Sequence, residues 1–325
     1  MIDVIEPGFA TTVQDEGRPG FYKSGIGPSG AMDMLSYRLG NGIVGNVSGS
    51  ASLELTFTGP RLHFRRALTF AVTGGEIPVY LNGHDVPAWT RVAAKPDDIL
   101  HFGYLKSGVR AYLAIEGGID VPMVMDSRST HVLVQIGGHR GRKLEAGDTL
   151  NVATGGGRAP SSDTLDPRFI PRFQRDVEIR FVPGLFDYRL TDDGKRQFAA
   201  REWSVTPNAD RTGIRMTSTS PDSLEFVSRE PPFGAGSDPS NVADAGYPIG
   251  AIQIPSGTEP IVLSRDAVTA GGYFTVGAVI TADLDSLGQV PTRGTVRFAP
   301  VPVETAVAIR RERAKLTAEA LDSLH

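Results

Sequence analysis

Short runs rich in β-branched and aromatic residues, each stopped by glycine or proline, recur along almost the whole chain and limit its fold more than any other feature. The first half carries "LELTFTG", "ALTFAVTGG", "PVYLNG", "DILHFG" and "VRAYLAIEGG". The second half carries "VEIRFVPG", "SLEFVS", "AIQIP", "EPIVLS", "YFTVGAVI" and "TVRFAP". Strands this short, with turn signals about every 8–12 residues, build sandwiches or barrels rather than βαβ repeats. Helical patterns are few: Asp33–Val44, Asp192–Ala200 and the C-terminal "VETAVAIRRERAKLTAEALDSL". In the last of these, Val307, Ala314 and Leu321 recur at seven-residue spacing and read as a docking face beside the charged "RRERAK". The expected fold class is mainly β: two β-barrel domains, few short helices and a C-terminal helix.

One segment breaks the strand pattern. "TGGGRAPSSDTLDPRFIPR", Thr154 to Arg172, has the composition of a linker. The expected organisation is a first barrel over 1–158, a linker over 159–174, a second barrel over 175–300 and a C-terminal helix over 301–325. The two sides echo one another in order. "EPGFATTVQDEGRPGF" is answered by "VPGLFDYRLTDDGKRQF", and "SLELTFTGP" by "SLEFVSREP". Between each pair lies a polar turn, "GPSGAMDMLSYRL" or "TPNADRTGIRM", which suggests duplication of one barrel. Duplication would make the Ser29–Asp33 and Asn208–Arg211 turns equivalent loops, placed to meet across an interdomain cleft.

Several function classes drop out. A formal net charge of −4 gives no reason to expect a nucleic-acid partner. The absence of cysteine removes disulfides, thiolate metal sites and cysteine nucleophiles. The N-terminal "MIDVIEPGFATTVQDEG" lacks the basic and apolar regions of a signal peptide, and no apolar run approaches the roughly 18 residues of a membrane span, so the expectation is a cytoplasmic protein without membrane association. "GPSGA" misses the G-x-S-x-G elbow by one residue, and no P-loop is present. "GGHRGR" (Gly137–Arg142) resembles a phosphate-binding loop but opens no evident helix. The histidines His63, His84, His101, His131, His139 and His325 have no tight ligand spacing, so no metal is predicted. No lysine sits between methionines, so the chain is not expected to carry its own biotin.

What remains are Arg, Asp, Asn and small hydroxyls beside glycines. "GIGPSGAMDMLSYRLGNGIVGN" sets a Gly/Pro turn with Ser29 and Asp33 before a short amphipathic helix; Asp33 offers a carboxylate to a site, or only caps the helix. "DEGRPG" places Asp15 and Arg18 on what reads as an exposed turn. "DSRSTH" flanks Arg128 with hydroxyls, suited to clamping a carboxylate or phosphate or simply a capped turn. "TPNADRTG" presents Asn208, Asp210 and Arg211 in a turn tolerant of left-handed geometry. "SRDAVTAGGYF" offers Arg265, Asp266 and Thr269 before Gly271–Gly272, where backbone can approach a ligand or merely bend.

Taken together, "DEGRPGFYKSGIGPSGAMDMLSYRLGNGIVGN", "AYLAIEGGIDVPMVMDSRST", "GRKLEAGDTL", "VTPNADRTG" and "AIQIPSGTEPIVLSRDAVTAGGY" stand in the order of one family. From the N-terminus to about residue 300 the chain resembles the 5-oxoprolinase C-subunit family, also called allophanate hydrolase subunit 2 or the biotin-dependent carboxyltransferase domain of urea amidolyase. The resemblance implies cyclophilin-like β-barrels and a companion subunit, which is allophanate hydrolase subunit 1 or the 5-oxoprolinase B-subunit. It implies a part in a heteromeric ATP-dependent amidohydrolase acting on a small amide or urea-like substrate, with ATP handled through the complex. Two other roles go with the family: a carboxyltransferase component using carboxybiotin on a separate carrier, and a non-catalytic regulatory partner of the companion. Matched positions make Asp33, Asp266 and Arg211 the candidate catalytic residues. Arg18, Ser29, Arg128, Asn208, Gly271 and Gly272 are the candidate substrate-binding residues. Arg128 or Arg211 would bind an anionic group, Asp33 or Asp266 would orient or deprotonate an amide nitrogen, and Ser29 and Asn208 would hydrogen-bond a carbonyl. Where relatives commonly read D-x-Q-T-T-G-G-Y-P, this chain has Val268 for Gln, Ala270 for the second Thr and Phe274 for Pro, which removes an amide and a hydroxyl. Glu16 stands where an apolar residue is usual.

Overall fold

Alternation along the first-half strands puts Ile2 and Val4, Leu53 and Leu55, Phe70 and Val72, and Leu113 and Ile115 on single faces, and all eight lie in one buried core. Burying each such side chain contributes about 1.5–3 kcal/mol, so this core is the main source of cohesion there. The computed structural model describes residues 1–155, 157–220, 222–230 and 232–325. They form two units: unit 1 is Met1–Arg18, Ser29–Phe173 and Ala314–His325, and unit 2 is Pro19–Pro28 and Gln174–Arg313. Among the described residues no helix is long and apolar enough to cross a membrane.

Unit 1 holds twelve strands in chain order. They are β1 (Ile2–Glu6), β2 (Ala10–Gln14), β3 (Ser52–Thr56), β4 (Arg61–Phe64), β5 (Leu68–Glu76) and β6 (Val79–Leu81). Then follow β7 (His84–Asp85), β8 (Val92–Ala94), β9 (Ile99–Phe102), β10 (Ser107–Ile115), β11 (Ile119–Asp120) and β12 (Thr149–Val152). One sheet has seven strands in the order β11-β12-β1-β4-β9-β6-β7, the other five in the order β2-β3-β10-β5-β8. Both contribute to the shared core. Helix α1 (Met34–Ile43) covers a second cluster, in which Leu35, Leu39 and Ile43 meet Ala71 and Ala114. Its glycines answer to close approach: a Cβ on Gly40 would stand 2.8 Å from Thr73 Oγ1, and one on Gly42 2.4 Å from Leu321 Cδ2. The segment read as a linker adds Leu165, fully buried, to the same cluster.

Unit 2 contains β13 (Asp176–Pro183), β14 (Trp203–Val205), β15 (Gly213–Thr217), β16 (Asn241–Gly246) and β17 (Ala251–Gln253). It continues with β18 (Ile261–Leu263), β19 (Ala270–Tyr273), β20 (Thr275–Val279) and β21 (Thr295–Pro300). Seven of these close into a barrel, β13-β20-β17-β18-β15-β14-β21, while β16 and β19 form a separate ribbon. The barrel is filled by aromatics: Phe198 stacks on Phe298 at 4.9 Å and lies 5.5 Å from Phe181. Helix α2 (Asp192–Ala200) starts where Thr191 accepts from Gly194 N, with Asp192 and Asp193 favourably placed in its first turn. Helices α3 (Leu284–Leu287) and α4 (Val303–Asp322) complete the set. The mainly-β architecture and the C-terminal helix stand as the sequence led one to expect. "SLEFVS" differs, forming only an isolated bridge from Phe226 to Leu190. Its backbone groups pair with three separate segments, at Gly257, Thr191 and Arg189, so no ladder propagates.

The turn before β12 is pinned by charge. Arg142 donates to both oxygens of Asp148, each at 2.8 Å, and Glu145 N donates a further bond at 2.8 Å. The Arg142 hydrogen bonds, opposed by burial, hold the Asp148 carboxyl well below its ordinary range. A depressed folded pKa stabilises above the unfolded value of about 3.9, and that contribution is lost as pH falls toward the folded value. Asp148→Asn is therefore expected to lower the urea midpoint at pH 7, with a smaller gap from wild type at pH 3. Equal gaps at both pH values would exclude this carboxylate from the acid response.

Candidate functional site

In unit 1 the polar loop after β2 closes on one carboxylate. Asp15 accepts from Gly17 N (2.7 Å), Ser127 Oγ (2.7 Å), Ser129 Oγ (2.5 Å) and Arg128 N (2.5 Å). Asp15 is 5% exposed and Arg18 0%. The exposed turn expected for "DEGRPG" is thus corrected: four donors, three of them from the "DSRSTH" loop, draw the carboxylate inward. The hydroxyls flanking Arg128 serve Asp15. Arg18 Nη1 donates to Ser29 Oγ at 2.8 Å and Nη2 to Ser129 O. The glycines of "GGHRGR" make room for this cluster. A Cβ on Gly137 (φ +66°) would fall 2.1 Å from Ser129 O and 2.6 Å from Arg18 Nη2, and one on Gly138 1.8 Å from Thr130 Oγ1.

Arg128 is the half-buried member of the set. Its Nε donates to Val121 O at 3.1 Å, and its side chain lines a cavity of about 210 Å³ with Ser48, Ser50, Gly117 and Ile119. Asp33 caps α1, accepting from Ser36 N at 3.0 Å and Ser36 Oγ at 2.6 Å. Beneath it lies a network that local sequence reading missed. Asp33 N donates to Tyr112 Oη, which donates to Glu54 Oε2, each at 2.8 Å. Glu54 Oε2 also accepts from Met32 N at 2.8 Å, and Glu54 Oε1 lies 3.8 Å from Arg110 Nε. Burial, then the charges of Glu54 and Asp33, push the Tyr112 hydroxyl well above its ordinary pKa, so it remains a donor. The available signal was an acid within β3, on the face opposite Leu53 and Leu55.

In unit 2 Arg211 and Asp266 form a two-pronged pair, Nε to Oδ2 at 2.8 Å and Nη2 to Oδ1 at 3.1 Å. The side chains are only 14% and 5% exposed. Backbone bonds fix the two loops together: Asp266 N to Arg211 O at 2.8 Å and Ser264 N to Thr212 O at 3.0 Å. The Pro19–Pro28 segment of the first motif packs on this loop, since a Cβ on Gly27 would lie 2.9 Å from Ala267 O and 3.2 Å from Arg265 O. Asn208 is exposed in the adjoining turn. Gly271 and Gly272 sit in β19, where Gly271 leaves room for the Tyr247 ring, 3.0 Å from its ideal Cβ. Tyr247 Oη accepts from Tyr273 N and donates to Tyr273 O, both at 2.8 Å. Val268 is half exposed, whereas Phe274 is fully buried against Phe226 at 5.0 Å. Phe274 N donates to Ser240 O at 2.8 Å, a bond a proline could not make.

The candidates therefore fall into two groups. Arg18, Ser29 and Arg128 gather around Asp15 and Ser129 in unit 1, with Asp33 on the Tyr112–Glu54 network. Arg211 and Asp266 are paired in unit 2, with Asn208 in the turn before Arg211 and the glycine pair on the ribbon.

The fold and these clusters define a mainly-β, cyclophilin-like barrel protein with buried arginine–carboxylate sites. More particularly, the chain belongs to the carboxyltransferase domain family, subdomains A and B, whose family model matches residues 24–300. It is 33% identical over 315 residues to the C subunit of 5-oxoprolinase from Haemophilus influenzae, covering 96% of this chain and 95% of that protein. Identity to the C subunit of 5-oxoprolinase from Escherichia coli is 31% over 325 residues, covering 100% and 99%. Urea amidolyase of Saccharomyces cerevisiae is 33% identical over 327 residues; the match takes in 96% of this chain but spans only 17% of that protein's length. Among solved structures, the K. lactis urea amidolyase superposes with a TM-score of 0.90 at 33% identity, over 98% of this chain and 20% of that one. The Kluyveromyces lactis urea carboxylase does so with the same TM-score and identity, over 98% and 29%.

Proposed function

We propose that this chain is one subunit of a heteromeric, cytoplasmic ATP-dependent amidohydrolase of the 5-oxoprolinase type, acting on a small amide or urea-like substrate. The observation that carries the reading is the match to the C subunits of two 5-oxoprolinases over nearly their whole length, where urea amidolyase is matched over a small fraction. In unit 2, Arg211 holds the plane of the Asp266 carboxylate, so that Asp266 meets a substrate amide N–H and takes its proton. Asn208, exposed in the same loop system, donates to the substrate carbonyl. In unit 1, Arg128 offers its guanidinium to an anionic group beside the 210 Å³ cavity. Arg18, Ser29 and Asp33 are positioning residues, holding the loops around Asp15 and the start of α1.

ATP does not fit the glycine loop of this chain, because Arg18 and Thr130 side chains occupy the space beside Gly137 and Gly138. The nucleotide is therefore assigned to the companion, the 5-oxoprolinase B-subunit or allophanate hydrolase subunit 1. A second reading, carboxyl transfer from biotin on a separate carrier, is favoured by the matching family model. Purifying the chain with its companion and following ATP hydrolysis against 5-oxoproline, allophanate and urea, with and without a biotinylated carrier, separates them. Stimulation by 5-oxoproline without carrier is the expected result. A strict demand for carrier would favour carboxyl transfer. A stable but silent complex would overturn both and leave a regulatory role.

A further inference from the structure

Arg189 is a large cation buried with no carboxylate paired to it among the described residues. It is 4% exposed, its Nη2 donates to Pro239 O at 2.7 Å, and its Nε is buried with no hydrogen-bond partner. The charge that acts on it most is another cation, Arg229, half-buried and bonded through Nη2 to Asn241 O. Burial first, then Arg229, lower the Arg189 pKa from its ordinary value. Among the described residues no carboxylate lies within ion-pairing distance of either guanidinium. Asp238, which lines the same cavity as Arg229, has its carboxylate turned to other donors: Oδ1 accepts from Ser240 N (2.8 Å) and Ser240 Oγ (2.6 Å), and Oδ2 from Ser256 Oγ (3.1 Å).

One of these arginines lines a cavity and the other bonds its wall from behind. Arg229 lines a space of about 250 Å³ with Phe226, Val227, Ser228, Ser237, Asp238 and Pro239. Arg189 adjoins the same wall: its side chain bonds Pro239 O and its carbonyl accepts from Val227 N at 2.8 Å. An uncompensated buried charge is costly, and two adjacent like charges make it more so. A guanidinium fork matches a carboxylate or phosphoryl group, and serine hydroxyls complete such a site. We infer that this cavity in unit 2 binds a small oxyanion, with Arg229 as the direct ligand and Arg189 supplying the buried charge behind it. The cavity volume limits the ligand to a few heavy atoms beyond the charged group, and Phe226, Val227 and Pro239 favour an apolar remainder. This site is separate from the Arg211–Asp266 pair and does not depend on the amidohydrolase reading.

Thermal melts of the full chain in acetate or in inorganic phosphate, each against chloride at equal ionic strength, test the inference. An anion at about 100 times its dissociation constant raises Tm by about 5–10 °C. Arg229→Gln should retain the fold and weaken that binding at least about tenfold, measured by titration calorimetry. Arg189→Met should lose the response while melting no lower than wild type in chloride; should it fail to fold, Arg229→Gln alone decides. No rise in wild type with either anion would overturn the site. An equal rise in wild type and Arg229→Gln would also overturn it, since it would reflect only exclusion of the salt from the protein surface. Acetate alone acting identifies a carboxylate ligand, and phosphate alone a phosphoryl ligand, both in support.

Discussion

Asparagine in place of Asp266 is expected to cut substrate-stimulated turnover of the assembled enzyme by about 10²–10⁴-fold, the usual contribution of a positioned acid–base group. The substitution preserves volume and leaves one oxygen for the Arg211 fork, so it tests proton transfer rather than packing. Alanine at the same place answers a different question. It would leave Arg211, 14% exposed, without the carboxylate that binds it at 2.8 and 3.1 Å. Breaking such a pair costs about 3–5 kcal/mol of stability, because a desolvated charge loses its partner. Turnover of Asp266→Asn measured alongside its melting temperature keeps the two effects apart. Wild-type turnover in that variant would reduce the pair to a strut between two loops.

Alanine at Asp15 is expected to be the most destabilising single change in unit 1, by about 3–5 kcal/mol or more. The four donors it satisfies, Gly17 N, Arg128 N, Ser127 Oγ and Ser129 Oγ, would be left in a buried space. Each unsatisfied buried donor costs about 1–3 kcal/mol, and a whole domain is stable by only about 5–15 kcal/mol. Urea unfolding followed by circular dichroism checks this, with Ser127→Ala as the comparison that removes one donor and should cost far less. A loss below about 1 kcal/mol in Asp15→Ala would mean that water replaces the carboxylate.

Local pattern carried the fold further than it carried the site. Helix α2 lies at Asp192–Ala200, the span its sequence pattern marks, and α1 lies within the Asp33–Val44 segment that Asp33 opens. These are short-range signals, as are the glycine and proline stops between strands. The Asp15 cluster is not short-range. Three of its four donors come from residues 112 to 114 positions away, so a polar turn that reads as surface becomes interior. Glu54 was hidden for the opposite reason: its strand reads as core, and nothing in "LELTFTG" says that Tyr112 and Arg110 wait opposite. Arg211 and Asp266 are each candidates in the sequence, but nothing there pairs them: their bond joins segments 55 residues apart.

The second hydrophobic cluster of unit 1 has a bearing on how the chain is made. Leu35, Leu39 and Ile43 of α1 share that cluster with Ala320, 2% exposed, and Leu324, 0% exposed, and Leu321 packs against it. A ribosome delivers α1 early, and the residues that cover its outer side emerge only after the barrel of unit 2 has been synthesised. At about 5–20 residues per second, roughly 270 further residues leave that apolar side bare for tens of seconds. Translation therefore passes through a stage at which unit 1 has both its sheets and an uncovered greasy flank. During that interval the uncovered flank is apolar surface through which nascent chains can associate.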